Sequence, residues 1–354
     1  MFFYYSLVEA ALVISAAFFM HYKLCIAYFS VSLRSMKDFI ELTIDKTDGV
    51  VCYNDKHHIY WDKKDMFTYI SVTTLIGMFE NYDRDFWLGY KALQEILADK
   101  PGIKKFLFNL RRLKAIDIDE VLSLYPGSFT AEEFENKKKE YSDRWNESSR
   151  KACEFGTKAH AGYENRFKEK DWYQLDWIGF KPTEWFAYIP GFYQFSEKLD
   201  RQVFPEMLIS MKTESGVRIA GQVDLCLKNK NTIQILDYKT NQSIDFQSYK
   251  DPYGKYQMMK YPLNELMDCN AIHYQLQTSI YTWILKRKYR LFDTANPKII
   301  HLYNKENTEE RKIYELEYIP SAVILMFRYF RDHIHYNYKK VIEHEGRFFI
   351  ARNS

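Results

Sequence analysis

The chain has 354 residues, 47% of them hydrophobic and 27% charged, enough to bury a sizeable core in one large domain or two modest ones. Those proportions exclude global disorder, a collagen-like chain and a polytopic membrane protein. Lys and Arg total 50 against 47 Asp and Glu, a net charge of +3, so a nucleic-acid partner would have to be met by local basic patches.

Met1 to Tyr22 carry one acid, Glu9, and no Lys or Arg; Leu7 to Met20 is the most apolar part. The length just reaches the roughly 20 residues that span a bilayer, and no basic segment precedes it as in a secretory signal. Residues 1–35 therefore have three readings: a membrane-anchoring helix, an upstream appendage with Met36 as the functional start, or a helix packed on the body. From Phe39 to Thr74 the pattern is short strands, with Asp48-Gly49 and Asn54-Asp55 as turns. Tyr69 to Ile76 reads as a strand, or as a strand passing into a helix. Asp83 to Asp99 has helical composition and stops before Pro101-Gly102. Lys104 to Lys114 is a basic amphipathic stretch, either a solvated face or a phosphate-contacting one.

Ala131 to Lys168 is a long helical region with an expected break near Gly156; its first part, Glu132 to Arg150, is charge-rich. Lys170 to Pro190, with Trp172, Trp177 and Trp185, reads as an aromatic loop or short-helix region, and Pro190 to Arg201 as a short helix. Three strands follow: Pro205–Thr213, Val217–Lys228 and Thr232–Thr240, the last two joined by a turn at Asn229-Lys230-Asn231. Asn270–Tyr289 is helical, Lys298–Tyr303 and Lys312–Tyr318 are strands, and Pro320–Lys340 closes with a helix. This order, helix, β-meander, helix, strands, helix, is that of an α+β or mixed α/β domain. Five widely spread cysteines with no C-x-x-C pair argue against a disulfide framework or a metal–sulfur cluster and fit a reducing compartment.

The chemistry concentrates between Gly156 and Tyr281. In Ile233-Gln-Ile-Leu-Asp237-Tyr-Lys239-Thr240, alternation puts Ile233, Ile235, Asp237 and Lys239 on one face. A charge pair ending a core strand is costly to desolvate. Asp224, in Gly221-Gln-Val-Asp224, stands thirteen positions earlier, so a tight turn can bring both carboxylates onto neighbouring strands. Such a pair repels, and a hard divalent cation relieves the repulsion. Glu206 offers a third ligand or an orienting group. Upstream, His160 and Glu164 share a helix face in Gly156-Thr157-Lys-Ala-His160-Ala-Gly-Tyr-Glu164, and downstream Gln277 and Tyr281 share another. Each piece alone is an ordinary surface pair.

In order and spacing these five motifs, with Ser71-Val-Thr-Thr74 and Trp145 upstream, resemble the PD-(D/E)XK nuclease superfamily, in its RecB-like or Cas4-like branch. The proline usual before the first acid is absent, replaced by G-x-x-D, and no cysteine follows Cys269 to build the cluster of iron–sulfur members. The resemblance implies a restriction-endonuclease-like core, a central mixed β-sheet flanked by helices. It divides the chain into 1–35, strands and helices over 36–150, and a nuclease core over 151–354. It further implies that His160, Asp224, Asp237 and the carbonyl of Tyr238 bind Mg²⁺ or Mn²⁺, and that Lys239 positions the attacking water with Asp237, Asp224 and Glu206 as the catalytic acids. Glu164, Gln277, Tyr281, Thr157 and Thr240 support the site or contact DNA. The activity so implied is a metal-dependent deoxyribonuclease, an exonuclease on single-stranded DNA ends in repair, recombination or replication. The alternatives are a structure-specific endonuclease or a non-catalytic nucleic-acid-binding protein that keeps the fold. Replication or recombination proteins are the implied partners, the cytoplasm the implied location, and a phage or mobile element the implied source by analogy.

Overall fold

The computed structural model describes residues 39–352 apart from 189–194, 197, 252, 291, 306 and 307. Residues 1–35 lie outside the described residues; among the described ones no helix is long and apolar enough to cross a membrane.

Five short strands come first: β1 (Phe39–Leu42), β2 (Lys46–Thr47), β3 (Val51–Asn54), β4 (Ile59–Asp62) and β5 (Ile70–Ser71). Strands β2, β3 and β4 form a small antiparallel sheet. Both expected turns are made by side-chain acceptors: Asp48 Oδ1 takes the Val51 N–H at 2.8 Å, and Asn54 Oδ1 the His57 N–H at 2.9 Å. Strand β5 runs directly into α1 (Val72–Gly77), because Ser71 Oγ caps the helix by accepting from the Thr74 N–H at 3.0 Å. Helices α2 (Arg84–Ile96), α3 (Ile103–Leu113) and α4 (Ile118–Leu124) then build a satellite core with Phe134 of α5 (Ala131–Arg166). The basic stretch on α3 divides. Arg111 donates to the Tyr249 hydroxyl, and Lys114 lies 4.4 Å from the Trp87 ring centre, so both serve tertiary contacts. Lys104, Lys105 and Arg112 stay exposed.

Helix α5 corrects an expectation: it runs unbroken through Gly156 for 36 residues. One glycine costs about 1 kcal/mol in a helix. A Thr130–Glu133 capping box and spaced ion pairs such as Lys139–Asp143 at 2.7 Å offset it. The Trp-rich region is corrected too. It supplies two strands, β6 (Trp172–Gln174) and β7 (Trp185–Tyr188), around a 3₁₀ turn. Trp177 there stacks on Tyr163 at 5.4 Å, leaving Trp172 and Trp185 exposed. Half of the helix expected at 190–201 lies outside the described residues; the described half is not helical, and Arg201 already opens a strand.

The main sheet is completed by β8 (Arg201–Lys212), β9 (Arg218–Asn229), β10 (Thr232–Lys239), β11 (Asp293–Thr294), β12 (Lys298–Lys305) and β13 (Thr308–Glu315). Its order is β13-β12-β10-β9-β8-β7-β6, with β11 beside β10 and β5 beside β9. The pairing is mixed: β10 runs parallel to β12 and antiparallel to β9. Helices α6 (Asn270–Lys288) and α7 (Pro320–His333), with α1, bury one face through Leu276, Ile280, Ile284, Val323 and Met326. The end of α5 covers the other through Tyr163 and Phe167 against Leu225, Leu236 and Ile300. The closing helix is shorter than the sequence pattern implies. Past His333 the chain turns to β14 (Ile342–His344) and β15 (Arg347–Ala351), which pairs back with β1. This is the mixed α/β fold expected, a central mixed sheet between helices.

Candidate active site

Strand register sets the site. Strands β9 and β10 pair Leu225 with Leu236, so the next step sets Asp224 opposite Asp237. Strands β8 and β9 pair Pro205 with Leu225 and Met207 with Val223, so Glu206 falls opposite Asp224. Three acids thus form a row across three adjacent strands. The row sits where regular alternation fails. Phe204 and Met207 contribute to the same core although three apart, as do Val223 and Cys226. Regular strands would send such residues to opposite faces. On β8 the slip coincides with Glu206, whose φ of +51° lies in the left-handed region that non-glycine residues rarely adopt.

Helix α5 brings His160 to one flank. Its Nδ1 lies 3.3 Å from Asp224 Oδ1 and 3.9 Å from Glu206 Oε1. One ligand atom from each of His160, Glu206 and Asp224 lies within 4.8 Å of the others. Asp224 is fixed from behind by the Tyr238 N–H, which donates to Oδ2 at 2.7 Å. Burial opposes its ionisation, but His160, Lys239 and that N–H outweigh burial and hold the carboxyl below the usual aspartate range. Burial likewise disfavours charge on His160; Asp224, Glu206 and Asp237 override it and push the imidazole up to about 11. Glu206 is raised, chiefly by burial and then by Asp224, against the pull of His160 and Lys46.

On the other flank Asp237 is 1% exposed, and its Oδ2 lies 2.5 Å from Lys239 Nζ. Asp237 is thus joined to Lys239 and is not one of the His160–Glu206–Asp224 trio. Burial raises Asp237 to about 6 despite the ammonium, with Asp224 adding to the rise. Lys239 donates to Gln277 Oε1 at 3.1 Å, and Gln277 Nε2 donates to the Tyr281 hydroxyl at 3.1 Å. Gly221 makes room for Tyr281: a Cβ there would lie 2.7 Å from the ring. Gly156 of α5 faces Thr240 Oγ1, 3.2 Å from where a Cβ would stand.

A cleft of about 410 Å³ opens over the trio. Gly156, Thr157, His160 and Glu164 line it from α5, Glu206, Gly221, Gln222 and Asp224 from the sheet, and Ser71 and Thr73 from the start of α1. Sequence reasoning missed the opposite wall, Lys46, Tyr53, Asp55, His58 and Tyr60 of the small sheet. Nothing local marks Lys46, in a two-residue strand far from the motifs. It also missed Tyr274, whose ring centre is 4.6 Å from Lys239 Nζ and whose hydroxyl donates to Asn241 Oδ1 at 2.6 Å. Helical periodicity could have found it, since Tyr274, Gln277 and Tyr281 follow the i, i+3, i+7 pattern of one face.

A sequence model of the PD-(D/E)XK nuclease superfamily matches residues 130–341, more than half of the chain. No curated protein matches it in sequence. Among solved structures, a candidate exonuclease from Eubacterium rectale is similar at 12% identity and a TM-score of 0.25, over 39% of this chain and 48% of that one. SSO0001 is similar at 16% identity and a TM-score of 0.21, over 38% and 52%. The chain thus spans about half the length of each of these proteins.

Proposed function

The chain belongs to the PD-(D/E)XK nuclease superfamily, and from that premise we propose that it is a divalent-metal-dependent nuclease that hydrolyses DNA. Its substrate in this reading is single-stranded ends, degraded exonucleolytically. One observation carries the proposal: a row of three acids across β8, β9 and β10, with His160 at one flank and Lys239 at the other. An imidazole among carboxylate oxygens is a donor set suited to Mg²⁺ or, better, Mn²⁺. His160, Glu206 and Asp224 would hold the ion, with Asp237 and the Tyr238 carbonyl as further oxygen donors of the row. When bound, the ion supplies charge neutralisation at the scissile phosphate and lowers the pKa of water.

The remaining steps belong to the chain's own groups. Lys239, held by Gln277 and by the face of Tyr274, aims its ammonium at the row and steadies negative charge developing on the phosphate. It also orients the attacking water. Tyr281 fixes Gln277, and the hydroxyls of Thr73 and Thr157 offer donors to the sugar–phosphate backbone along the cleft. Lys104, Lys105 and Arg112, with the exposed Phe108 and Tyr253 rings edge to face at 5.8 Å, supply charge and stacking surface for a single strand.

The test is a panel of 5′- and 3′-end-labelled single-stranded, double-stranded and RNA substrates with Mg²⁺, Mn²⁺ or chelator. The expected result is degradation of single-stranded DNA from one end, abolished by chelator. Protein that binds these substrates and cuts none of them under either metal overturns the reading.

A further inference from the structure

Resting on the metal-dependent reading above, we propose that Lys46 is a built-in cation of the site. It ties up Glu164 and Glu206 so that the carboxylate cluster admits a single divalent ion, and it sets that ion's affinity. Lys46 lies outside the residues the family model matches, in the small sheet that forms the far wall of the cleft. Its ammonium is 3.4 Å from Glu206 Oε2 and 3.7 Å from Glu164 Oε2. The placement is anchored. Lys46 pairs with Tyr53 in the β2–β3 ladder, and Tyr53 stacks on Tyr60 at 4.5 Å. Those rings share a core with Leu208 and Ala220, on the strands that carry Glu206 and Asp224.

Charge arithmetic then limits what can enter. Among the described residues, four carboxylates meet across the row and its α5 flank, those of Glu164, Glu206, Asp224 and Asp237, with Asp55 apart on the far wall of the cleft. Lys46, Lys168 and Lys239 contact all of them except Asp224, which faces His160 and a backbone N–H. Once His160 gives up its proton to ligate the ion, four negative charges against three positive leave a single net negative charge in this cluster, centred on Asp224. One divalent ion more than compensates it. A second would share Glu206 with the Lys46 ammonium and meet its repulsion at close range. Lys46 thus does on the α5 flank what Lys239 does on the α6 flank, but from a segment the nuclease core does not contain.

The experiment titrates Mn²⁺ calorimetrically, without nucleic acid, into wild type, Lys46→Met, Lys46→Gln, Lys46→Arg and Asp224→Asn, and records each Tm with and without the ion. Wild type and Lys46→Arg should bind one ion with similar affinity. Lys46→Met and Lys46→Gln should bind Mn²⁺ about tenfold tighter or take up a second ion, and should gain more in Tm on its addition. Two ions in wild type, or unchanged affinity and stoichiometry in both neutral variants, overturns the role of Lys46 and leaves the nuclease reading standing. Unchanged binding in Asp224→Asn instead overturns the metal site on which the inference rests.

Discussion

The two flanks of the acid row are built on opposite terms. On the α6 flank, Asp237, Lys239, Gln277 and Tyr281 form a closed chain of contacts behind the sheet, with Asp237 1% exposed. On the α5 flank, His160, Glu206 and Glu164 face an open cleft, and their cationic partners reach in from separate elements. The closed flank is fixed by strand register and by one helix face, so its groups have little freedom to rearrange. The open flank depends on how a long helix and a small sheet dock beside the row. It is the side that opens to solvent. Preorganised charge and an accessible ligand set therefore occupy different sides of the same strands.

Breaking the closed flank should have the largest effect. Lys239→Ala or Asp237→Ala should abolish cleavage of an end-labelled strand, by 10³-fold or more, with DNA binding kept. Removing one partner of so buried a pair should also cost about 3 kcal/mol of stability in chemical denaturation. His160→Ala on the open flank should weaken Mn²⁺ binding by about 10- to 100-fold. It should slow cleavage less than loss of Lys239, because Glu206 and Asp224 remain; an equal loss would erase the distinction between the flanks.

The two glycines sharpen the comparison. Gly221→Ala presses a methyl 2.7 Å from the Tyr281 ring, inside the closed chain. It should destabilise by about 1–3 kcal/mol and lower cleavage by disturbing Gln277. Gly156→Ala meets only the Thr240 hydroxyl at 3.2 Å. There the helix gains about 1 kcal/mol of propensity, which offsets the crowding, and stability should stay within about 0.5 kcal/mol of wild type. Denaturation midpoints for the pair, measured side by side, check this order.

Much of the sheet was legible. The strands that carry Asp224 and Asp237 are β-rich runs joined by a short polar turn, so their pairing follows from local pattern even though alternation slips beside Glu206 and Asp224. The helix through Gly156 was misread, because one glycine is a breaker signal only where the flanking residues do not outvote it. The Trp-rich strands β6 and β7 were missed for a different reason. Three or four residues at a sheet edge carry too little periodicity to count, and their state is set by the neighbour they pair with.

At the site, sequence spacing alone selects which residue types come together, since strand and helix periods are local properties of the backbone. It therefore determines the Asp224–Asp237 juxtaposition, the Lys239 position and the shared faces of His160 with Glu164 and Gln277 with Tyr281. Tertiary structure alone decides that Asp237 joins Lys239 while Glu206 joins His160, because that depends on a left-handed residue on β8 and a slip in alternation on β9. It alone also brings Lys46 across the cleft, because docking between sheets follows buried surface complementarity, which no local repeat in the chain encodes.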